Sequence, residues 1–213
     1  MRERDVAAIE RALRGSAGAP DDEAAALAGG LAESADEAGL VDVAYATLDS
    51  PLGAVLVATT RRGLVNVGLP SESFDRHLER LAAGVSPRVL ELPRRTDEVR
   101  RELDDYFAGR RREFDLSLDW RLVHGDFARR LLRGLPRVPY GETISYAEAA
   151  RRGGSPPAHR AAGNALGANP LPIVVPCHRV IRSGGALGGY GGGPEMKRYL
   201  LEHEGRRLSG KSA

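Results

Sequence analysis

Hydrophobic and polar positions change their spacing along this chain, and the first regular pattern begins at Val41. Short apolar runs that alternate with polar residues are separated there by Ser50-Pro-Leu-Gly53 and Arg61-Arg-Gly63. Such runs with turn residues between them predict three strands of an antiparallel meander. Two segments with helical spacing and one that alternates like a strand follow: residues 74–83, 96–107 and 114–120. Residues 41–122 are therefore predicted to form a small α+β domain with a supporting role.

The last part of the chain, residues 123–213, has helical spacing interrupted by proline and glycine. Asp126 is predicted to cap a helix that ends before Pro136. A second helix opens at residues 143–146, and Ser155 followed by Pro156 predicts the start of a third. Two helices joined by a tight Gly-Gly-Ser turn indicate a helix-turn-helix, although a plain helical bundle gives the same pattern. The predicted fold class is α+β, a small antiparallel-sheet domain followed by a helical, winged-helix-like domain.

Residues 1–40 differ from both domains because they are rich in Ala, Glu, Asp and Gly. Val6, Ile9 and Leu13 are spaced as one face of a short helix, and a second alanine-rich segment follows. We expect an N-terminal extension that is partly helical or disordered. No function follows from its sequence.

Composition narrows the class of protein. The 213 residues carry a net charge of +2 and contain no long apolar run, and the N-terminus lacks a secretory core, which predicts a cytoplasmic protein without a membrane span. One cysteine excludes an internal disulfide, and the five histidines lack metal-ligand spacing, so neither metal nor cofactor is expected. No feature indicates an obligate oligomer, and a monomer is expected.

The charge is unevenly distributed. Residues 1–40 carry 4 basic and 9 acidic side chains, whereas residues 123–213 carry 14 and 6. A basic domain attracts polyanions such as nucleic acid, although a charged surface can also serve solubility alone.

Cys177, the only cysteine, follows the apolar and proline-rich run Leu171-Pro-Ile-Val-Val-Pro176. This run predicts a short buried segment that delivers the thiol to a rigid turn. A thiol attacks only as the thiolate, which at a pKa of about 8.5 is a few per cent of the total at neutral pH, so a neighbouring base is required. His178 is adjacent, and Glu204 lies in the C-terminal segment. The alternative is that Cys177 is a small core residue.

Several motifs together resemble one known family. Their order and spacing are those of the O6-alkylguanine-DNA alkyltransferases over about residues 123–208. They are Val138-Pro-Tyr-Gly-Glu-Thr-Ile-Ser-Tyr146, Arg160-Ala-Ala-Gly163, Asn169-Pro170, Pro176-Cys-His-Arg-Val180, Gly188-Gly-Tyr190 and Leu201-Glu-His-Glu204. The resemblance implies a DNA-repair protein that takes an alkyl group from O6-alkylguanine in double-stranded DNA permanently onto Cys177. Whether O4-alkylthymine is also a substrate stays open.

The resemblance also implies roles for individual residues. His178 would act as base through a bridging water, Glu204 would orient it, and the amide of Asn169 would tie the recognition helix to the active-site turn. Tyr146 would crowd the target phosphate and bind the extruded base, and Arg160 would fill the space that the base leaves. The implied DNA contacts are Tyr146, His159, Arg160, Ala161 and Gly163. The implied pocket residues are Leu166, Val180, Leu187, Tyr190, Gly191 and Gly192. Carbonyl oxygens of Cys177 and Val180 would accept from the exocyclic amine of the base.

Four departures and three alternatives accompany the resemblance. Ala162 stands where valine is common in the family. His159 stands where the family usually has alanine, Leu131-Leu132 replaces a valine-tryptophan pair, and three glycines after Tyr190 predict a pocket roomy enough for larger alkyl groups. An alkyltransferase-like damage sensor would have tryptophan in place of Cys177. A helix-turn-helix regulator would bind DNA without a covalent adduct, and a cysteine hydrolase would need an oxyanion hole that the sequence does not indicate.

Overall fold

The computed structural model describes residues 19–206. The short helix predicted around Val6, Ile9 and Leu13 lies outside this range. Helix α1 (Ala19–Glu37) forms from the second alanine-rich segment. Its Ala32 packs beside Val41, and Asp36 pairs with Arg95 at 3.0 Å, so the end of α1 is anchored to the following domain.

A four-stranded sheet forms the first domain. Strands β1 (Val43–Leu48), β2 (Val55–Thr60) and β3 (Gly63–Gly68) pair antiparallel in sequence order, as predicted. A fourth strand, β4 (Val89–Glu91), adds to the free edge of β1 in parallel, so that the order is β3-β2-β1-β4 and the sheet is mixed. Strand β4 was not predicted, because three residues give no recognisable alternation.

Two helices cover the two faces of this sheet. Helix α2 (Phe74–Gly84) is capped by Ser73 and packs through Leu81 on the face that carries Leu56. Helix α3 (Pro93–Phe107) begins with proline at its first position and packs through Leu103 on the opposite face. Alternate residues of β2 point to opposite faces, which explains why this strand is buried throughout.

The strand predicted over residues 114–120 does not form. This segment makes a single bridge to β3, in which Leu64 donates to the Ser117 carbonyl at 2.8 Å and Asp119 donates to the Leu64 carbonyl at 2.8 Å. The alternation of exposed and half-buried side chains is present, but the segment pairs at one residue only. It connects the sheet to the helical domain.

Up to residue 206, the second domain contains four helices and a two-residue parallel ladder. Its elements are α4 (Asp126–Gly134), a 3-10 turn (Leu135–Arg137), β5 (Ile144–Ser145), α5 (Tyr146–Arg152), α6 (His159–Gly167), a second 3-10 turn (Cys177–Arg179), β6 (Val180–Ile181) and α7 (Gly193–His203). Helices α5 and α6 flank the Gly-Gly-Ser turn and form the predicted helix-turn-helix.

Three predicted helix starts are displaced. Asp126 is the first residue of α4 rather than its cap, which is Gly125 with φ 84°. Ser145 caps α5 by accepting from the Glu148 amide at 3.1 Å, since Ile144 and Ser145 pair with β6 instead of continuing the helix. Helix α6 starts at His159 and not at Pro156, because Pro157 disfavours helical geometry in the residue before it.

The two domains share one apolar core. Leu103 of α3 and Val67 of β3 lie in the same cluster as Leu171 and Leu200 of the second domain. Strand β3 also binds the chain just before the cysteine, because the Val67 amide donates to the Pro170 carbonyl at 2.8 Å. None of the helices described between residues 19 and 206 is long and apolar enough to span a bilayer.

Candidate active site

The segment that carries Cys177 is buried from residue 171 to residue 181. It is irregular and sharply turned, and Ile173 adopts φ 74°, a left-handed conformation that β-branched residues rarely adopt. Such strain persists only where the surroundings hold the backbone in place. The Val175 amide donates to the Leu171 carbonyl at 2.8 Å and closes the turn. The proline-rich run thus delivers Cys177 to a fixed position.

Cys177 opens the second 3-10 turn and is 5% exposed. Its Sγ accepts a hydrogen bond from Asn169 Nδ2 at 3.2 Å, and the same amide nitrogen donates to the Val175 carbonyl at 2.8 Å. Burial raises the pKa of the thiol above 9.0, against the opposing effect of the Asn169 hydrogen bond. The thiol is therefore the resting form, and nucleophilic attack by this sulfur would require a base.

The imidazole of His178 is fully buried and faces Glu204. Its Nε2 lies 2.8 Å from Glu204 Oε1, so Nε2 carries the proton and Nδ1 presents a lone pair. That Nδ1 is buried without a hydrogen-bond partner among the described residues. Burial lowers the pKa of His178 below 6.5 although Glu204 opposes this, which leaves the imidazole neutral and able to accept a proton at neutral pH.

Glu204 is 4% exposed, contrary to the usual position of a glutamate. In addition to the bond from His178, the Glu204 carboxylate accepts two hydrogen bonds from Arg179, one from the Tyr106 hydroxyl at 2.9 Å and one from the Gly141 amide at 3.1 Å. Burial alone would raise the pKa of Glu204, but the hydrogen bonds and charges of His178 and Arg179 outweigh burial and lower it strongly. The carboxylate stays ionised.

Residues 187–192, here called the lid loop, pass over the site between β6 and α7. Lys197 of α7 is fully buried and its Nζ donates to carbonyl oxygens of Leu187, Gly189 and Val180. Burial lowers the pKa of Lys197 to about 8. The Tyr146 hydroxyl donates to the Gly189 carbonyl at 3.3 Å. These bonds hold the lid loop against α7 and the start of α5.

Two clefts meet beneath the lid loop at Gly167, Tyr190 and Gly191. One of about 890 Å³ is lined by Tyr146 and by Arg160 of α6. The other, of about 1000 Å³, has Cys177 in its wall and extends to the first domain. Tyr190 lines both, and its hydroxyl is buried without a partner among residues 19–206. The cleft beside α6 and the cleft at Cys177 thus adjoin each other.

Of the α6 residues predicted to contact DNA, His159, Arg160 and Gly163 line the cleft of about 890 Å³, whereas Ala161 does not. His159, Arg160 and Ala161 are exposed at the start of α6, and Gly163 is half-buried one turn further on. Leu166, at the end of the same helix, is buried in the wall of the larger cleft. Helix α6 thus connects the exposed surface to the site of Cys177.

Two pocket residues behave differently from the expectation. Gly192 does not enlarge the pocket, because a Cβ there would lie 2.6 Å from Met196 Sδ and 3.0 Å from Leu69 Cδ1. The space is already filled by these side chains. The Val180 carbonyl, expected to accept from a base, already accepts from Lys197 at 2.6 Å and has one lone pair left.

Three side chains of the site were missed by sequence reasoning. Arg179 lies in the motif of Cys177 without a pattern that marks its role, Lys197 has the pattern of an ordinary helix-surface lysine, and Tyr106 lies in the other domain, 98 residues from Glu204. Only the position of Arg179, directly after His178, could have indicated one of them. His203 precedes Glu204 but has a different partner, since its Nε2 donates to the Tyr106 carbonyl at 2.7 Å.

Fold and site define a two-domain protein with a buried cysteine, a histidine-glutamate pair and an adjacent helix-turn-helix. Among residues 19–206 no group of three or more His, Cys, Asp or Glu side chains is arranged to hold a metal ion. The family model for the ribonuclease-like domain of 6-O-methylguanine DNA methyltransferase matches residues 43–120, and that for its DNA binding domain matches residues 126–206. The chain belongs to this methyltransferase family.

Individual relatives agree with this assignment. The methylated-DNA–protein-cysteine methyltransferase of Mycolicibacterium paratuberculosis is 43% identical over 164 residues, 77% of this chain and 93% of the relative. The crystal structure of Mycobacterium tuberculosis OGT in complex with DNA is 41% identical, covers 76% of this chain and 92% of its own, and has a TM-score of 0.65. The O6-methylguanine-DNA methyltransferase of Pyrococcus kodakaraensis is 25% identical, covers 76% and 99%, and has a TM-score of 0.52.

Proposed function

We propose that this protein is a methylated-DNA–protein-cysteine S-methyltransferase, which repairs O6-alkylguanine in double-stranded DNA by moving the alkyl group to Cys177. The observation that carries the proposal is the buried thiol beside a neutral His178 whose proton-bearing Nε2 faces Glu204. Relatives over most of the chain bear the name of this activity. Cytoplasmic location is part of the proposal, because an acceptor thiol has to stay reduced.

The thiol loses its proton to His178 Nδ1 through a bridging water, and Glu204 stabilises the resulting imidazolium. The Asn169 amide, 3.2 Å from Sγ, stabilises the thiolate. Sγ then attacks the alkyl carbon while the bond from that carbon to O6 breaks. The electron pair of the broken bond stays with guanine, which takes up a proton from water at N1. The His178 imidazolium returns its proton to water, so overall the thiol proton is replaced by the alkyl group and guanine gains one proton. The product thioether has no carbonyl for water to attack, so each protein molecule reacts once.

The target atom is stacked inside duplex DNA, and its nucleotide must rotate out at a cost of a few kcal/mol. Helix α6 would approach the DNA with His159, Arg160 and Ala161, and Arg160 would occupy the space that the base leaves. The extruded base would pass Tyr146 and lie between Tyr190 and Leu166, with the Gly191 amide directed at O6. The cleft of about 890 Å³ beside α6 supports this path.

Larger alkyl groups and O4-alkylthymine are further proposed substrates. Room for them comes not from Gly192 but from the cleft of about 1000 Å³ that opens next to Cys177. An O6-benzyl group would fit there. If O6-benzylguanine in DNA fails to react while O6-methylguanine reacts, the proposal for larger groups is wrong.

The test of the main proposal is mass spectrometry after incubation with duplex DNA that contains one O6-methylguanine. We expect a gain of one methylene mass on the peptide with Cys177, saturating at one per protein, and no gain in Cys177→Ala. Alanine is the suitable control because it keeps the small apolar volume. Binding without mass gain would indicate a damage sensor instead, and absence of binding would contradict the proposal altogether.

A further inference from the structure

The sheet domain contributes one side chain to the histidine-glutamate pair. Tyr106, at the end of α3, is fully buried, and its hydroxyl donates to Glu204 Oε1 at 2.9 Å. We infer that Tyr106 is a positioning residue for alkyl transfer, whose hydroxyl holds Glu204 in place and limits how strongly that carboxylate supports charge on His178. This inference rests on the proposed function of Cys177 and His178.

The three donors to Glu204 Oε1 compete for one oxygen. His178 Nε2 lies 2.8 Å away, Arg179 Nη2 2.9 Å and the Tyr106 hydroxyl 2.9 Å. Each hydrogen bond withdraws electron density from the oxygen and weakens it as an acceptor for the others. Loss of the Tyr106 hydroxyl therefore makes Glu204 a stronger acceptor for His178 and raises the proton affinity of the imidazole.

The Tyr106 hydroxyl remains a donor throughout the physiological range. Burial, followed by the negative charge of Glu204, raises the pKa of Tyr106 well above 10. The ring is also fixed, since it packs between Phe107 and Phe114 with centroid distances of 5.4 and 5.5 Å. A rigid donor of this kind restricts the carboxylate more than a mobile surface group would.

A second hydrogen bond, donated in the opposite direction, connects the end of α3 with the end of α7. His203 Nε2 donates to the Tyr106 carbonyl at 2.7 Å, and the two rings lie 5.1 Å apart. The end of α3 and the end of α7 are thus joined through both the side chain and the main chain of Tyr106. Because Glu204 directly follows α7, this junction determines where its carboxylate lies.

Other ionisable groups around the pair come from several elements. Arg179 contacts Glu204 directly, Lys197 and Arg179 both disfavour positive charge on His178, and the Tyr190 ring is 6.5 Å from the imidazole. Tyr140 is the neighbour most like Tyr106, with ring centroids 6.2 Å apart. Its hydroxyl donates to the His203 carbonyl at 3.0 Å and not to Glu204, which makes it a matched control.

The experiment compares the pH dependence of methyl transfer in the full-length protein, in Tyr106→Phe and in Tyr140→Phe. Single-turnover rate constants are measured at saturating duplex DNA with one O6-methylguanine. We expect the midpoint of the acid limb to move upward by about half a pH unit in Tyr106→Phe, corresponding to part of one hydrogen bond to a charged group. Its plateau rate should fall several-fold, and Tyr140→Phe should keep the wild-type midpoint.

Two further measurements separate positioning from stability. In the Glu204→Gln background the additional change Tyr106→Phe should not move the midpoint, because the effect acts through the carboxylate. NMR titration of the His178 ring, which needs no turnover, should show the same upward shift in Tyr106→Phe. A lower melting temperature with an unchanged midpoint in both measurements would overturn the inference. Failure of the wild-type protein to take up methyl would refute the proposed function instead.

Discussion

Arg179 binds Glu204 through both carboxylate oxygens, with Nε 2.9 Å from Oε2 and Nη2 2.9 Å from Oε1. The two side chains are 5% and 0% exposed, and the remaining guanidinium nitrogen Nη1 donates to the Val138 carbonyl at 2.6 Å. A bidentate pair in this setting keeps the carboxylate ionised inside the core. It also makes the protein sensitive to the loss of either partner.

Replacing Arg179 by leucine should destabilise the protein severely. The change leaves the Glu204 charge buried with its main counterion removed, which costs about 3–5 kcal/mol in comparable cases. The control is Arg151→Leu, which removes an equally bidentate but exposed partner of Glu148. We expect the urea midpoint to fall strongly in the first variant and much less in the second. Equal shifts would show that burial does not determine the value of the Arg179 pair.

Contacts of the site between residues that are close in sequence could be predicted, whereas contacts between residues far apart in sequence could not. Cys177 and His178 are adjacent, and their motif was sufficient to place them together. Glu204 was predicted only through the resemblance, because by itself it has the pattern of a surface carboxylate. The contact of Tyr106 with Glu204 has no signal in a single sequence, since a buried tyrosine at a helix end is ordinary core.

The fold shows the same division. The strands of the meander follow from alternation over six residues each, whereas β4 is three residues long and exists because the edge of β1 is available. Helix α6 begins later than predicted because Pro157 disfavours helical geometry at Pro156. A capping rule that considers Ser155 and Pro156 alone does not include this effect.

Methyl transfer should be independent of pH around neutrality. Burial lowers the pKa of His178 below 6.5 and raises that of Cys177 above 9.0, so between these values the pair is a neutral base and a thiol. The neutral base is lost only as the pH falls through the lowered value in the folded protein. We expect a flat rate from about pH 6.5 to 7.5, below the pKa of about 8 at which Lys197 loses its charge, and a decline at lower pH, with Trp120 fluorescence as a check of folding. If the rate of methyl transfer falls within that range as the pH is lowered, His178 is not the neutral base assigned here.

The lid loop offers a sharp comparison between two neighbouring glycines. Gly188 has φ 70°, and a Cβ there would lie 2.8 Å from the Tyr146 hydroxyl, whereas a Cβ at Gly189 would contact nothing within 4 Å. Gly188→Ala should therefore displace Tyr146 and slow methyl transfer by at least about tenfold, because a small misplacement of a positioning group is costly. Gly189→Ala should react at nearly the wild-type rate. Similar rates for the two variants would argue against a role for Tyr146 in this position.

Arg160 provides the test of base extrusion. It is exposed at the start of α6, and it lines the cleft that leads past Tyr146. If its side chain fills the space left by the extruded base, then Arg160→Ala removes part of the compensation for unstacking, which costs a few kcal/mol. We expect a rate on duplex DNA reduced by about 30-fold, equivalent to roughly 2 kcal/mol.

The same variant should lose much less on a single-stranded oligonucleotide, where no partner base or stack has to be replaced. Arg151→Ala is the matched control, since Arg151 is an exposed arginine of α5 that pairs with Glu148. Single-turnover rates of both variants on both substrates separate base extrusion from general attraction to phosphate. Loss of that attraction would weaken binding to duplex and single strand alike. An equal loss for Arg160→Ala on duplex and single strand would mean that this arginine contributes charge alone.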